Sequence, residues 1–281
     1  MGEHSVAKHL QAVAASSPPP VWASLRNEAE RAAREEPALA SLLNAVVLSH
    51  DRISDALSYQ LARKLGDQEL RAMSAREIAE EAFEADPSLI AAAEADLRAV
   101  FERDPACKGY VQPFLFFKGF LALQTHRVSH WLWTHSRETL ALYLQSRASE
   151  TFAVDIHPAA RMGKGIFLDH GTGIVIGETA VVGDDVSMLH GVTLGGTGAE
   201  RGDRHPKIGR GVLLGAGAKV LGNIQIGEYA KVASGSVVLK PVPAHCTAAG
   251  VPARLVNCPT CEEPARTMDH TLADVVYDYV I

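Results

Sequence analysis

Asp169 and His170 stand in the stretch GIFLDHGTGIVIG, residues 165 to 177, where a six-residue repeat of aliphatic and glycine positions leads one to expect inert turn residues. A histidine titrates near neutral pH, so a positioned imidazole can take a proton from a hydroxyl during nucleophilic attack. A second concentration of ionisable groups, Asp203, Arg204 and His205, closes the polar insertion GGTGAERGDRHPK. The guanidinium fork matches a carboxylate in bidentate geometry, which an ammonium cannot do. Each residue also has a plain structural reading, because a histidine in a turn can equally be a solvated surface group.

The elements that must hold these residues are legible in the spacing. Aliphatic residues recur at Ile156, Met162 and Leu168, at Ile176, Val182, Met188 and Leu194, and at Ile208, Leu214, Val220, Ile226, Val232 and Val238. Four positions after most of them lies another small or branched apolar residue, such as Ala160, Val186, Val212 or Ala230. Two inward positions per six residues, with glycine between them, predict a parallel β-helix whose coils each take three hexads. Regular glycines at this density exclude a helical bundle, since each costs about 1 kcal/mol inside a helix. The register slips by two between Leu168 and Ile176. Fourteen residues, rather than twelve, separate Leu194 from Ile208, which predicts an external loop.

The first half has a different period. Residues 1–21 form an Ala, Ser and Pro-rich lead-in expected to be flexible, and residues 22–150 read as helices. PALASLLNAVVLSHD places Leu39, Leu42, Leu43, Val46 and Val47 on one face. Ser74 with Glu77 reads as a capping box, Asp86 and Pro87 as the opening of the next helix, and Asp104 with Pro105 as another cap and first-turn pair. PFLFFKGFLALQTHRVSHWLWT is apolar around most of its circumference, which predicts burial. The fold class is therefore α+β, with a helical domain, a β-helix over 151–256, and a flexible acidic tail over 257–281.

With 47% hydrophobic residues the chain can build a substantial core, which excludes disorder throughout. The formal charge of −6 without a basic run gives no footprint for nucleic acid or an anionic membrane. No apolar run is long enough to span a bilayer, and the N-terminus lacks the apolar core of a signal peptide. Four cysteines do not make a disulfide framework, so a cytoplasmic protein is expected, with Cys258 and Cys261 of CPTC as free thiols.

The strings VDIHPAARMGKGIFLDHGTGIVIGETAVV, GVTLGGTGAERGDRHPKIG and PVPAHCTAAGVPARLV, behind a helical half containing RDPA, resemble serine acetyltransferases from about Trp22 to Val256. The resemblance implies a left-handed β-helix, trimeric through that domain, with two trimers joined by their helical halves. It implies acetyl transfer from acetyl-CoA to L-serine without a metal, and feedback by L-cysteine at the serine site. His170 matches the catalytic base and Asp155, fifteen residues earlier, the carboxylate that orients it from an adjacent coil. Asp104 and Asp169 match residues near serine's amino group, and Arg204 and His205 those that hold its carboxylate. Gly195, Gly196, Thr197 and Ala216 fall where the family's coenzyme A arm runs, and Lys231 is a candidate phosphate partner. The terminal Ile281 implies docking into O-acetylserine sulfhydrylase, with the acidic residues upstream steering the approach.

Other readings use the same prism. An acyltransferase for a sugar or antibiotic hydroxyl needs the histidine but has no use for Arg204 and paired aspartates. A zinc hydratase needs three converging histidines, for which His157, His170, His190 and His205 supply the number. A non-catalytic scaffold needs none of them.

Overall fold

The computed structural model describes residues 20–198, 201–258 and 262–272. Helix α1 (Val21–Glu35) buries Val21, Leu25 and Ala29, spaced four apart on one face, and stops short of Pro37. The next stretch is not one helix but a 3₁₀ turn (Pro37–Leu39), α2 (Ala40–Leu43) and a π turn (Asn44–Leu48). Leu43, Val46 and Val47 are buried as expected, whereas these changes of period turn Leu39 out to solvent.

Helices α3 (Ile53–Leu65), α4 (Ala72–Ala85) and α5 (Ser88–Arg103) follow. The capping box is corrected: Ser74 lies inside the first turn of α4, because Gly66 abuts the backbone of Ala72 and the helix starts there. Asp86 does cap α5, its Oδ1 accepting from the Ser88 amide at 3.0 Å. Asp104 ends α5 instead of opening a helix. Its Oδ1 accepts from the Ala106 amide at 2.8 Å, and α6 (Val111–Phe116) begins only later. Helix α7 (Lys118–Thr134) is buried around most of its girth, packed against α8 (Glu138–Phe152) and the prism beyond.

That prism is a stack of parallel coils. The first holds β1 (Val154–Ile156), β2 (Arg161–Met162) and β3 (Phe167–Leu168); the second β4 (Ile174–Ile176), β5 (Val181–Val182) and β6 (Ser187–Met188). The third holds β7 (Thr193–Gly195), β8 (Lys207–Ile208) and β9 (Leu213–Leu214); the fourth β10 (Lys219–Leu221), β11 (Gln225–Ile226) and β12 (Lys231–Val232). The last has β13 (Val237–Val238) and β14 (Thr247–Gly250), closed by β15 (Ala253–Asn257). The strands form three faces: β1-β4-β7-β10-β13, β2-β5-β8-β11, and β3-β6-β9-β12-β14-β15. Parallel pairing sets Ile156 on Ile176, Leu194 on Val220 and Leu168 on Met188, so the six-residue positions become continuous buried columns. The loop before β8 is larger than the spacing implied. Leu194 and Ile208 lie on consecutive faces, one hexad apart in the fold, so the loop adds eight residues at a single corner.

A buried carboxylate fastens the helices to this prism. Asp96 of α5 is fully buried and accepts from Arg127 Nη2 at 2.6 Å, Gln124 Nε2 at 3.0 Å and the Ile166 amide at 2.9 Å. Arg127 also donates to the Gly163 carbonyl at 2.8 Å, so one ion pair joins α5, α7 and the turn between β2 and β3.

The end of the chain departs from expectation. Cys246 and Cys258 form a disulfide across the open end of the β14–β15 hairpin, so Cys258 is not a free thiol, and Cys107 is the buried free cysteine among the described residues. Residues 262–272 lie against the third face. There α9 (Pro264–Thr267) places the Ala265 carbonyl 2.8 Å from Ser187 Oγ, and Met268 packs on the Ala99, Val100, Cys107 and Phe167 cluster. Ile281, Cys261 and the rest of the acidic tail lie outside the described residues. Among the described residues no helix is long and apolar enough to cross a membrane.

Candidate active site

The candidate residues gather at two edges of the first face. Where β3 turns into β4, Asp169 and His170 fill the corner that absorbs the two-residue slip. His170 adopts φ 56°, a left-handed conformation that an exposed turn tolerates. Its side chain is 77% exposed, with Nε2 3.9 Å from Asp169 Oδ1. The start of α7 presses on this corner: a Cβ on Gly119 would lie 2.1 Å from the Leu168 carbonyl oxygen. Only glycine permits that approach.

Burial raises the pKa of the Asp169 carboxyl, and the nearby Asp104 carboxylate adds to the effect against the pull of His170 and His190. Asp104 at the end of α5 is thus near enough to Asp169 for the two carboxylates to repel, beside the His170 imidazole. The sequence reading grouped these three and counted His190 only among the histidines of the zinc-hydratase alternative; its ring centroid lies 6.1 Å from that of His170. The clue was its position, twenty residues later, the length of the first coil step.

Arg204 and His205 lie at the opposite edge, where β7 leads into the long loop and on to β8. His205 is buried in a seat made by Gly177, where a Cβ would fall 2.1 Å from the ring. The Thr179 amide donates to its Nδ1 at 3.2 Å, which leaves Nε2 to carry the proton of the neutral ring. Burial lowers the His205 pKa, and the adjacent Arg204 lowers it further. Arg204 Nη2 donates to Glu178 Oε2 at 2.7 Å, a partner that sequence reasoning missed. Lys207 pins the end of the loop, donating to the Thr179 and His205 carbonyls at 2.8 Å each.

Asp155 does not meet His170 within the chain. It lies in the middle of β1, in register with Val175 of β4, and its Oδ1 accepts from Gln145 Nε2 at 2.6 Å. Five residues of the coil, from His170 to Val175, separate the corner from the position above Asp155. His157 belongs to the same side as His205. The Ala159 amide donates to its Nδ1, Trp133 packs edge-on against its ring, and burial lowers its pKa.

The coenzyme A candidates also divide. Ala216 lies on the His170 side, while Gly195, Gly196 and Thr197 start the loop on the His205 side, with Gly196 against Arg204. Lys231 is corrected as a free phosphate partner. It is 5% exposed, covered by the C-terminal segment, and its Nζ donates to the Thr271 carbonyl at 2.5 Å.

Comparison with known proteins bears on both halves of the chain. The family model described as serine acetyltransferase, N-terminal, matches residues 21–125, and that for the bacterial transferase hexapeptide (six repeats) matches residues 205–240. Serine acetyltransferase from Escherichia coli K12 is 55% identical over 249 residues, 89% of this chain and 91% of the relative. A solved serine acetyltransferase in complex with cysteine superposes with a TM-score of 0.89 at 52% identity, covering 90% of this chain and 98% of that one. The Brucella abortus S19 serine acetyltransferase in complex with coenzyme A gives 0.85 at 52% identity, over 86% and 96% of the two chains.

Proposed function

The chain belongs to the serine acetyltransferase family, and on that premise we propose that it moves the acetyl group of acetyl-CoA to the hydroxyl of L-serine, with His170 as general base. The observation that carries the reading is the neighbouring carboxylates of Asp104 and Asp169 beside an exposed imidazole. Serine's ammonium sits between the two carboxylates and relieves the cost of holding them together. His170 takes the hydroxyl proton as the oxygen attacks the thioester carbonyl. The carbon–sulfur bond breaks, O-acetyl-L-serine leaves, and the imidazolium returns the proton to the departing coenzyme A thiolate.

The carboxylate end of serine calls for a guanidinium fork, and Arg204 stands at the far edge of the first face, away from His170. A homotrimer supplies it: the Asp169 corner of one subunit faces the His205 edge of the next, where Arg204 and the Nε2–H of His205 receive the carboxylate. Asp155 of that neighbouring subunit then stands within reach of His170 as its orienting carboxylate. Acetyl-CoA lies in the groove between the two subunits, bordered by Ala216 on one and by Gly195, Gly196 and Thr197 on the other. L-Cysteine competes at the serine site because it offers the same charged ends. Two such trimers join through the helical domains, as the family resemblance suggests.

Thiol release from acetyl-CoA tests the assignment. L-Serine is expected to give strong release, and a galactoside or chloramphenicol none. Release with the galactoside alone would move the protein to the sugar acyltransferases.

The proposal extends to a partner: Ile281 imitates an amino-acid substrate in the site of O-acetylserine sulfhydrylase. In calorimetry against the sulfhydrylase, the full chain is expected to bind and a chain lacking Ile281 to lose binding while keeping acetyltransferase activity. Equal binding by the two would place the contact elsewhere.

A further inference from the structure

We propose that Thr179 is a positioning residue whose single hydroxyl holds Arg204 and His205 in register with each other; this rests on the reading of those two as the grip on the serine carboxylate. A guanidinium fork and a ring N–H can meet one carboxylate together only if the backbone that carries them is fixed, and a site left about 1 Å too loose loses its function. Neither residue lies in a strand. Both stand at the end of the long loop between β7 and β8, so something outside the ladder has to fix them.

Thr179 sits half-buried in the turn from β4 to β5, one coil below, and its hydroxyl meets the loop at three points. The Arg204 amide donates to Oγ1 at 3.0 Å and the His205 amide at 3.1 Å, while His205 Nδ1 lies 2.9 Å away. The direction of the third contact is forced. The Thr179 amide donates to Nδ1 at 3.2 Å, so that nitrogen carries a lone pair, and the hydroxyl gives it its one proton while accepting from the two amides. All three partners are satisfied in this one arrangement, which keeps the Nε2–H of His205 for a ligand. The Thr179 carbonyl accepts from Lys207 at 2.8 Å, so the turn holds the chain on both sides of His205. From the coil above, Asn223 Nδ2 donates to the Asp203 carbonyl at 3.2 Å. The end of the loop is thus gripped between two coils, with Thr179 the one residue that touches both carboxylate-binding positions.

The test is steady-state kinetics on the wild type, Thr179→Val, Thr179→Ala, Thr179→Ser, Arg204→Ala and the Thr179→Val/Arg204→Ala pair. Valine matches threonine in shape but offers the two amides no acceptor. Thr179→Val and Thr179→Ala are expected to raise the serine KM by about five- to twentyfold, with kcat and the acetyl-CoA KM within about twofold, because the carboxylate contacts are made equally before and during attack. Thr179→Ser keeps the hydroxyl and is expected to stay within about twofold of wild type. In the Arg204→Ala background the effect of Thr179→Val on kcat/KM for serine is expected to shrink at least threefold, since part of what Thr179 positions is already gone. An unchanged serine KM in Thr179→Val, with Arg204→Ala impaired, overturns the positioning role and leaves the carboxylate grip standing. A Thr179→Ser variant as weak as Thr179→Val overturns it too, as does a tenfold loss of kcat in both hydroxyl-free variants or a full multiplicative loss in the pair. An unchanged serine KM in Arg204→Ala removes the carboxylate grip itself, and this inference with it.

Discussion

Replacing His170 by alanine is expected to lower turnover by about 10² to 10⁴, the usual contribution of a positioned general base, while the protein stays folded. The side chain is exposed and makes no core contact, so its loss removes chemistry and leaves packing alone. The serine hydroxyl then has no acceptor for its proton as it attacks. What remains is the rate given by placing hydroxyl and thioester side by side. The measurement is kcat by thiol release, with the elution volume and melting temperature of the variant compared with wild type. Turnover within twofold of wild type would take His170 out of the mechanism.

The largest effect on stability is expected from Asp96→Ala, a loss of about 3–5 kcal/mol. The carboxylate is fully buried, and its removal strands the Arg127 guanidinium, itself 7% exposed, together with the Gln124 amide and the Ile166 N–H. An uncompensated buried cation costs more than the ion pair contributed when intact. Asp96→Asn keeps one acceptor and is expected to fall between. In thermal unfolding the alanine variant should melt roughly 10 °C lower. A loss under about 1 kcal/mol would show that water or a rearranged side chain takes over the lost contacts.

The columns inside the prism were legible because an inward position in a coil depends only on spacing along that coil: Ile156, Ile176, Leu194 and Val220 needed no knowledge of distant residues. The break at Asp169 and His170 was legible for the same reason. What spacing could not give was position around the coil. Fifteen residues is close to one coil, which suggested that Asp155 lies under His170, but the first step is twenty residues and the neighbour of Asp155 is Val175. The loop before Ile208 was misjudged because a missing hexad and an insertion at one corner look alike on the sequence. Lys231 looked exposed because every outward position of a repeat does, and nothing local announces that residues 262–272 will cover it. The Cys246–Cys258 pair was hidden by the reversal of the chain between β14 and β15, where the repeat has already ended.

That reversal has a consequence for growth. A stack of parallel coils offers unpaired backbone at both ends, and such edges invite further copies to add on without limit. Here the lower rim lies against α7 and α8, which meet β1, and against α5, which meets β3. At the upper rim β15 runs antiparallel to β14, so an incoming coil finds a strand of the wrong direction, its outer residues Arg254 and Leu255 turned to solvent. The length of the solenoid is thereby set by its two closures, and the molecule is guarded against becoming the first unit of a fibre.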